Sequence, residues 1–210
     1  MAVRIYGNRE IKTLPGEATR PTSARVREAL FNIWQGRVRG ARWLDLCAGS
    51  GAMGAEALCR GAAEVVGIEK SGAACRIVKE NWQKVAKPDQ RFRVVKGDVV
   101  RQLKAVCSPS HQDTQADDIS ALHGFDLVYF DPPYAGGLYG PVLSQLADCL
   151  TFTGEVAVEY GGGHWQPEAL PESAISRLEM VREKRYGSTH LVFFRLVLQS
   201  SVTNLRGRTE

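Results

Sequence analysis

Two six-residue runs, EVVGIE at Glu64–Glu69 and FDLVYF at Phe125–Phe130, are apolar over most of their length. They constrain the fold more than any other feature of the chain. A strand that shows one face to water alternates apolar and polar residues, whereas a continuously apolar strand is buried on both faces, as in a parallel sheet covered by helices. The intervals between such runs carry helical patterns. In order, the chain reads as strand Trp43–Cys47, helix Ala52–Arg60, strand Glu64–Glu69, helix Gly72–Val85, strand Phe92–Val95, helix Val99–Val106, strand Phe125–Phe130, helix Gly140–Leu150 and strand Glu155–Tyr160. Ile175–Val181 and Leu191–Leu198 then read as two closing strands joined through Gly187 without a long helix, which predicts an antiparallel pair at one edge. The expectation is an α/β fold built on a seven-stranded, mostly parallel sheet with helices on both faces.

Ahead of this body stands a segment of different character. Gly7-Asn8 accepts positive φ between short mixed runs, so a small hairpin or extended arm is expected over Val3–Leu14. Thr22 or Ser23 can cap a helix running from Arg25 to Trp34, stopped by Gly36, with Arg25, Arg27 and Glu28 facing largely away from the apolar stripe. Residues 1–42 hold nine Arg and Lys against three acids, and the remainder holds 18 against 20. A basic extension on a near-neutral body is the footprint of a polyanion-binding surface, and Arg4, Arg9, Arg20, Arg25 and Arg27 are its candidate phosphate contacts. The expected organisation is a basic arm and helix over 1–42, a main domain over 43–198 and a tail over 199–210. Cys107–Gly124 is polar enough to be a surface loop, because it has too little apolar area to offset the entropy of ordering it.

Other classes are disfavoured. With 210 residues the chain supports one sizeable core. No apolar run approaches the ~20 residues needed to span a bilayer, and MAVRIYGNRE has no secretory pattern, so a soluble cytoplasmic protein without membrane contact is expected. The five cysteines are scattered with no Cys-x-x-Cys pair, which points to reduced structural thiols. The four histidines lie far apart, and no metal site is expected.

The run LDLCAGSGAMG places Gly49, Gly51 and Gly54 as G-x-G-x-x-G at a strand-to-helix junction, with Ser50 inside the loop. Such a loop brings backbone N–H groups close to a ligand, and by itself it fits a dinucleotide, an S-adenosylmethionine site or a tight turn. Asp45, four residues ahead of Gly49, helps to choose. A carboxylate there repels a pyrophosphate and suits the ammonium and sulfonium charges of S-adenosylmethionine. Glu69 ends the next strand, where it can accept from both ribose hydroxyls, and Asp98 follows the third strand, placed to meet an adenine amino group. Acids at three successive strand ends beside a glycine loop point together to that cofactor.

Asp131-Pro132-Pro133-Tyr134 follows the apolar strand Phe125–Phe130. Two prolines terminate any strand, but the four residues together have a chemical meaning. An exocyclic base amine is a poor nucleophile because its lone pair is delocalised into the ring. Acceptors facing both N–H groups localise it, and the Asp131 carboxylate and the Pro132 carbonyl can be those acceptors. Pro133 stiffens the loop, so that the acceptors need little reorganisation. Tyr134 offers a stacking face worth ~1 to 3 kcal/mol per base.

RPTSARVREALFN (Arg20–Asn32), LDLCAGSGAMGAEALCRGA (Leu44–Ala62), IEK (Ile68–Lys70) and FDPPY (Phe130–Tyr134) together resemble the RsmD family of 16S rRNA guanine-N2 methyltransferases, over about residues 3–198. The resemblance implies a Rossmann-like S-adenosylmethionine-dependent methyltransferase fold with a small N-terminal extension. It also implies action on a guanine of 16S rRNA in an assembling or assembled small ribosomal subunit, and a monomer is expected. By position, Asp131, Pro132 and Tyr134 would grip the base, while the Gly49 loop, Glu69, Lys70, Asp98 and Asp131 would surround the cofactor. Lys70 stands where the family often carries an acid, and the polar stretch near 107–123 is longer than the family's. A DNA adenine or cytosine amino-methyltransferase shares the tetrapeptide but usually adds a target-recognition domain, for which the chain is expected to have no room beyond residues 1–42. A non-catalytic nucleic-acid-binding module would not require the acceptor constellation. A nicotinamide dehydrogenase rests on the glycines alone and is disfavoured by Asp45 and the tetrapeptide.

Overall fold

The structure is a computed structural model that describes residues 2–14, 24–107, 124–134, 137–163 and 165–197. The polar stretch 108–123, the helix-capping candidates Thr22 and Ser23, Arg20 and the tail from 199 lie outside the described residues. Seven strands form the main sheet in the order β5-β4-β3-β6-β7-β9-β8. They are β3 (Arg42–Leu46), β4 (Glu64–Glu69), β5 (Arg91–Lys96), β6 (Phe125–Phe130), β7 (Leu150–Gly161), β8 (Leu178–Tyr186) and β9 (Thr189–Leu196). The first five pair in parallel, and β9 runs antiparallel to both β7 and β8. The predicted sheet and its antiparallel edge are present.

Strand alternation decides which residues meet which helices. Leu44, Leu46, Val66, Ile68, Val128, Phe130, Val156 and Val158 point to one face, where they pack with α4 (Val99–Cys107), α5 (Tyr139–Leu146) and the short α6 (Glu172–Ile175). Trp43, Val65, Leu127, Tyr129 and Ala157 point to the other. That face is covered by α1 (Ala24–Ile33), α2 (Ala52–Cys59) and α3 (Gly72–Val85), which bring Leu30, Phe31, Met53, Leu58, Val78 and Trp82 into one core. Phe31 stacks on Trp43 at 5.3 Å between ring centroids.

The N-terminal extension shares this core. β1 (Ala2–Ile5) and β2 (Arg9–Lys12) pair antiparallel across a tight Tyr6–Asn8 turn, in which Gly7 and Asn8 both adopt positive φ, at 72° and 59°. Ile5 and Ile11 are buried against the same helices as α1.

Three expectations are corrected. The helix predicted to reach Leu150 ends at Leu146, and β7 begins at Leu150, because its first residue pairs with Phe125 before a register shift. The strand predicted over Ile175–Val181 instead starts at Leu178 and runs through the charged VREKRY, while Ile175 ends α6. An edge strand tolerates that charge because one of its sides faces solvent. Cys47, Cys59 and Cys75 are free thiols, but Cys149 is disulfide-bonded to a partner outside the described side chains. No helix among the described residues is long and apolar enough to cross a membrane.

Candidate active site

The sheet order sets the carboxyl ends of β5, β4, β3, β6 and β7 side by side. Asp98, Glu69, Cys47, Asp131 and Glu159 therefore line one edge in that sequence, each on a strand ~4.8 Å from the next. This is the edge at which open α/β sheets hold their ligands.

The glycine loop leaves β3 through Cys47 and Gly49, both left-handed at φ 60° and 57°, and reaches Gly51 at φ 73°, which caps α2. Cys47 adopts a conformation that costs an L-residue about 1 to 2 kcal/mol. Beneath the loop lies Trp82 of α3, fully buried, whose Nε1 donates to the Gly51 carbonyl at 2.8 Å. A Cβ on Gly51 would fall 2.8 Å from Trp82 Nε1, and one on Gly54 only 2.3 Å from Trp82 Cζ2. These two glycines make room for an indole, a reason different from the ligand approach expected of them. Ser50 is buried and its carbonyl accepts from Asn81.

Asp45 is 1% exposed, and its Oδ2 accepts from the Gly54 N–H at 3.0 Å, so it fastens the first turn of α2 to β3. Burial pushes its carboxyl from the ordinary 3.8 up to about 8. Glu69 accepts from Gly49 N–H at 2.9 Å through one oxygen and from Ser71 N–H at 2.7 Å through the other. Asp98 uses one oxygen to cap α4, accepting from Arg101 N–H at 3.1 Å. Lys70 is exposed.

The Cys47 thiol reports how these acids come together. It is pushed strongly up, first by burial and then by the charges of Glu69, Asp131, Asp45 and Asp98. Among the described residues no group of side chains is placed to hold a metal ion. Glu69 and Asp131 stand half-buried at the strand ends, whereas Asp45 lies beneath the loop.

Past the end of β6, Pro132 is buried and Pro133 exposed, with Asp131 and Tyr134 half-buried. The Tyr134 ring lies against Gly161 of β7, where an added Cβ would come 2.6 Å from Cε2. Its hydroxyl is 3.5 Å from Glu159 Oε1. Glu159 is buried, accepts a short bond from the Tyr129 hydroxyl, and offers its carbonyl to Tyr139 at 3.3 Å.

The arginines divide. Arg4, Arg9 and Arg25 are exposed on the extension. Arg27 is corrected: it is 5% exposed, ion-paired to Glu56 at 2.6 Å, and donates to the Arg4 carbonyl at 2.7 Å. It joins α1, α2 and β1 and does not face solvent. Sequence reading passed over Cys47, Asn81, Trp82 and Glu159. A signal existed for two of them: Asn81 interrupts an apolar stripe of α3, and Glu159 interrupts the apolar run of β7.

Residues 3–195 match the family described as Conserved hypothetical protein 95. The chain is 31% identical over 150 residues to Ribosomal RNA small subunit methyltransferase D of Escherichia coli K12, covering 70% of this chain and 67% of that protein. The solved structure of Escherichia coli yhhF superposes with a TM-score of 0.72 at 27% identity, over 93% of this chain and 98% of that one. A TehB-like SAM-dependent methyltransferase of Corynebacterium glutamicum superposes with a TM-score of 0.56 at 19% identity, over 81% of this chain and 87% of that one, a likeness of fold.

Proposed function

Since the chain belongs to the RsmD family, we propose that it is an rRNA methyltransferase acting, with S-adenosylmethionine, on the exocyclic 2-amino group of a guanine in 16S rRNA of the small ribosomal subunit. The observation that carries this reading is the placement of Glu69, Asp98 and Asp131 at or just past the carboxyl ends of β4, β5 and β6, beside the Gly49–Gly51 turn and Pro132-Pro133-Tyr134. S-adenosylmethionine supplies a methyl group on a sulfonium, a cation whose charge suits the carboxylates of Glu69, Asp98 and Asp131.

The chain's own residues do the rest. Glu69 is oriented by two backbone N–H groups and, having about four lone-pair sites, keeps acceptor capacity for ribose hydroxyls. The Gly49–Gly51 turn presents backbone at the loop, while Asp98 stands at the adenine end of the edge. Asp131 accepts from one N–H of the target amine and the Pro132 carbonyl from the other, which localises the lone pair for attack. After transfer, the surplus proton on the amine leaves to Asp131 or water. Tyr134 presents the base-stacking face, held in place by Gly161 behind it. Arg4, Arg9 and Arg25 take RNA phosphates.

Transfer of tritium from labelled S-adenosylmethionine to naked 16S rRNA, small subunits and DNA, followed by nucleoside analysis, tests this reading. Label is expected in N2-methylguanosine of rRNA. Asp131→Ala should bind donor normally and lose about 100-fold or more in transfer, while Asp131→Asn, which keeps an acceptor oxygen, should retain part of it. Label confined to DNA, or near-wild-type transfer in Asp131→Ala, would overturn the proposal.

A further inference from the structure

Helix α3 buries a stripe of Ala74, Val78, Trp82 and Val85, and Asn81 lies among them at 2% exposure. Its amide bridges two segments far apart in sequence. Oδ1 accepts from the Lys12 N–H at 2.9 Å, and Nδ2 donates to the Lys12 carbonyl at 2.9 Å and to the Ser50 carbonyl at 2.8 Å. Both amide hydrogens are engaged, one on the hairpin and one on the glycine loop. The next residue, Trp82, holds the next loop carbonyl, that of Gly51. On the hairpin side, Lys12 Nζ meets Glu80 at 2.7 Å and Lys84 Nζ donates to the Glu10 carbonyl at 2.7 Å. A cleft of about 410 Å³, lined by Lys12, Glu80, Asn81, Gln83 and Lys84, opens along this seam.

A buried amide has no water to fall back on, so each bond it loses leaves a buried polar group unpaired. Displacing β2 therefore either breaks the Asn81 bonds or drags the Ser50 carbonyl with it. We infer that Asn81 is a positioning residue through which the N-terminal hairpin and the donor loop are coupled, so that RNA on the hairpin and donor in the loop tighten each other's binding. This rests on the reading of the preceding subsection, in which RNA seats on the extension and S-adenosylmethionine in the loop. RNA selects the docked hairpin, the docked hairpin fixes Ser50 through Asn81, and the effect is the same in either direction because linkage is reciprocal.

The test measures the affinity of S-adenosylhomocysteine by titration calorimetry, with and without saturating unmethylated small subunits. In the wild type the subunits should tighten it by about 5-fold or more, the lower end of ordinary coupling. Asn81→Ala should bring that ratio to about one. A merely structural role would weaken binding in both titrations and leave the ratio unchanged. Because Asn81→Ala strands three buried groups, Lys12→Pro is the second variant. It removes the backbone N–H that Asn81 accepts together with the exposed Lys12–Glu80 pair, a pair worth little. It should also bring the ratio towards one while affinity without subunits stays within about 2-fold; Lys12→Ala, which removes the pair alone, should keep the wild-type ratio. Wild-type coupling in folded Asn81→Ala and Lys12→Pro, or no coupling in a wild type that binds both ligands, overturns the inference alone. A wild type that binds no donor overturns the functional reading beneath it.

Discussion

Arg27→Met separates a structural arginine from an RNA-binding one. The Arg27 guanidinium lies between Glu56 Oε2 at 2.6 Å and the Arg4 carbonyl at 2.7 Å, both sheltered, and its Nη1 is buried with no hydrogen-bond partner among the described residues. Removing one partner of a buried pair ordinarily costs about 3 to 5 kcal/mol, because the other charge is left unpaired. Glu56 is only partly abandoned here. Its Oε1 keeps Arg60, through Nε at 3.0 Å and Nη2 at 2.8 Å, and Met retains most of the apolar stem. The Arg4 carbonyl loses its donor, which adds ~1 kcal/mol or more if it stays buried. The net expectation is a loss of about 2 to 4 kcal/mol, or roughly 4 to 16 °C in Tm for a domain of this size. Urea unfolding and thermal denaturation measure it. Arg27→Met/Glu56→Leu should recover much of the loss, since replacing both charges by apolar groups is often neutral.

The opposite pattern is expected of Arg25, which is exposed on α1. Arg25→Gln should leave stability within ~0.5 kcal/mol and lower the salt slope of RNA binding by about 0.7 to 0.9 in log-log units. If Arg27→Met kept wild-type stability and produced that salt-slope change instead, the assignment of Arg27 to the core would be refuted.

Three further outcomes follow from the site. Gly54→Ala should destabilise by about 1 to 3 kcal/mol in urea titration, because an overpacked Cβ against Trp82 outweighs the ~1 kcal/mol that Ala gains over Gly in a helix; a more stable variant would show the indole to be mobile. Asp45 titrates at about 8 in the fold against 3.8 ordinarily, so the folded state holds a proton that the unfolded state releases, and stability should fall as pH rises from about 4 to 8. Asp45→Asn should remove that part of the slope, and parallel pH profiles of urea midpoints for the two proteins would reject it. Gly161→Ala should push Tyr134 off its seat, lowering single-turnover transfer while leaving S-adenosylhomocysteine affinity unchanged; unaltered transfer would mean that the ring position does not matter.

Local signals made most of the architecture legible. EVVGIE and FDLVYF coincide with β4 and β6, and Gly72–Val85 with α3, because burial on both faces and a strong helical period leave no competing reading. The edge was harder to read. The residues of β8 are mostly charged because an edge strand needs burial on only one side, and a segment such as VREKRY then looks like a loop. The burial of Arg27 is equally hard to read. A helical wheel places it between Trp34 and Phe31 on the buried face, but an arginine is rarely buried unless paired, and nothing local reveals its partner Glu56 on another helix.

For the site, sequence placed acids at strand ends but could not order the strands. Asp131 comes 62 residues after Glu69 in the chain, yet only the β3 strand stands between their strands in the sheet. That crossover sets Asp131 beside the acids of β3, β4 and β5, and periodicity carries no information about it. The same limit explains Asn81. Its amide joins Lys12 to Ser50 across 69 and 31 residues, so the only local trace is a polar residue where the stripe calls for an apolar one. A polar interruption in a buried face costs stability unless it is bonded. Such interruptions therefore mark where distant segments are tied together, and here Asn81 ties the glycine loop, and Glu159 the segment of Tyr134, to the scaffold.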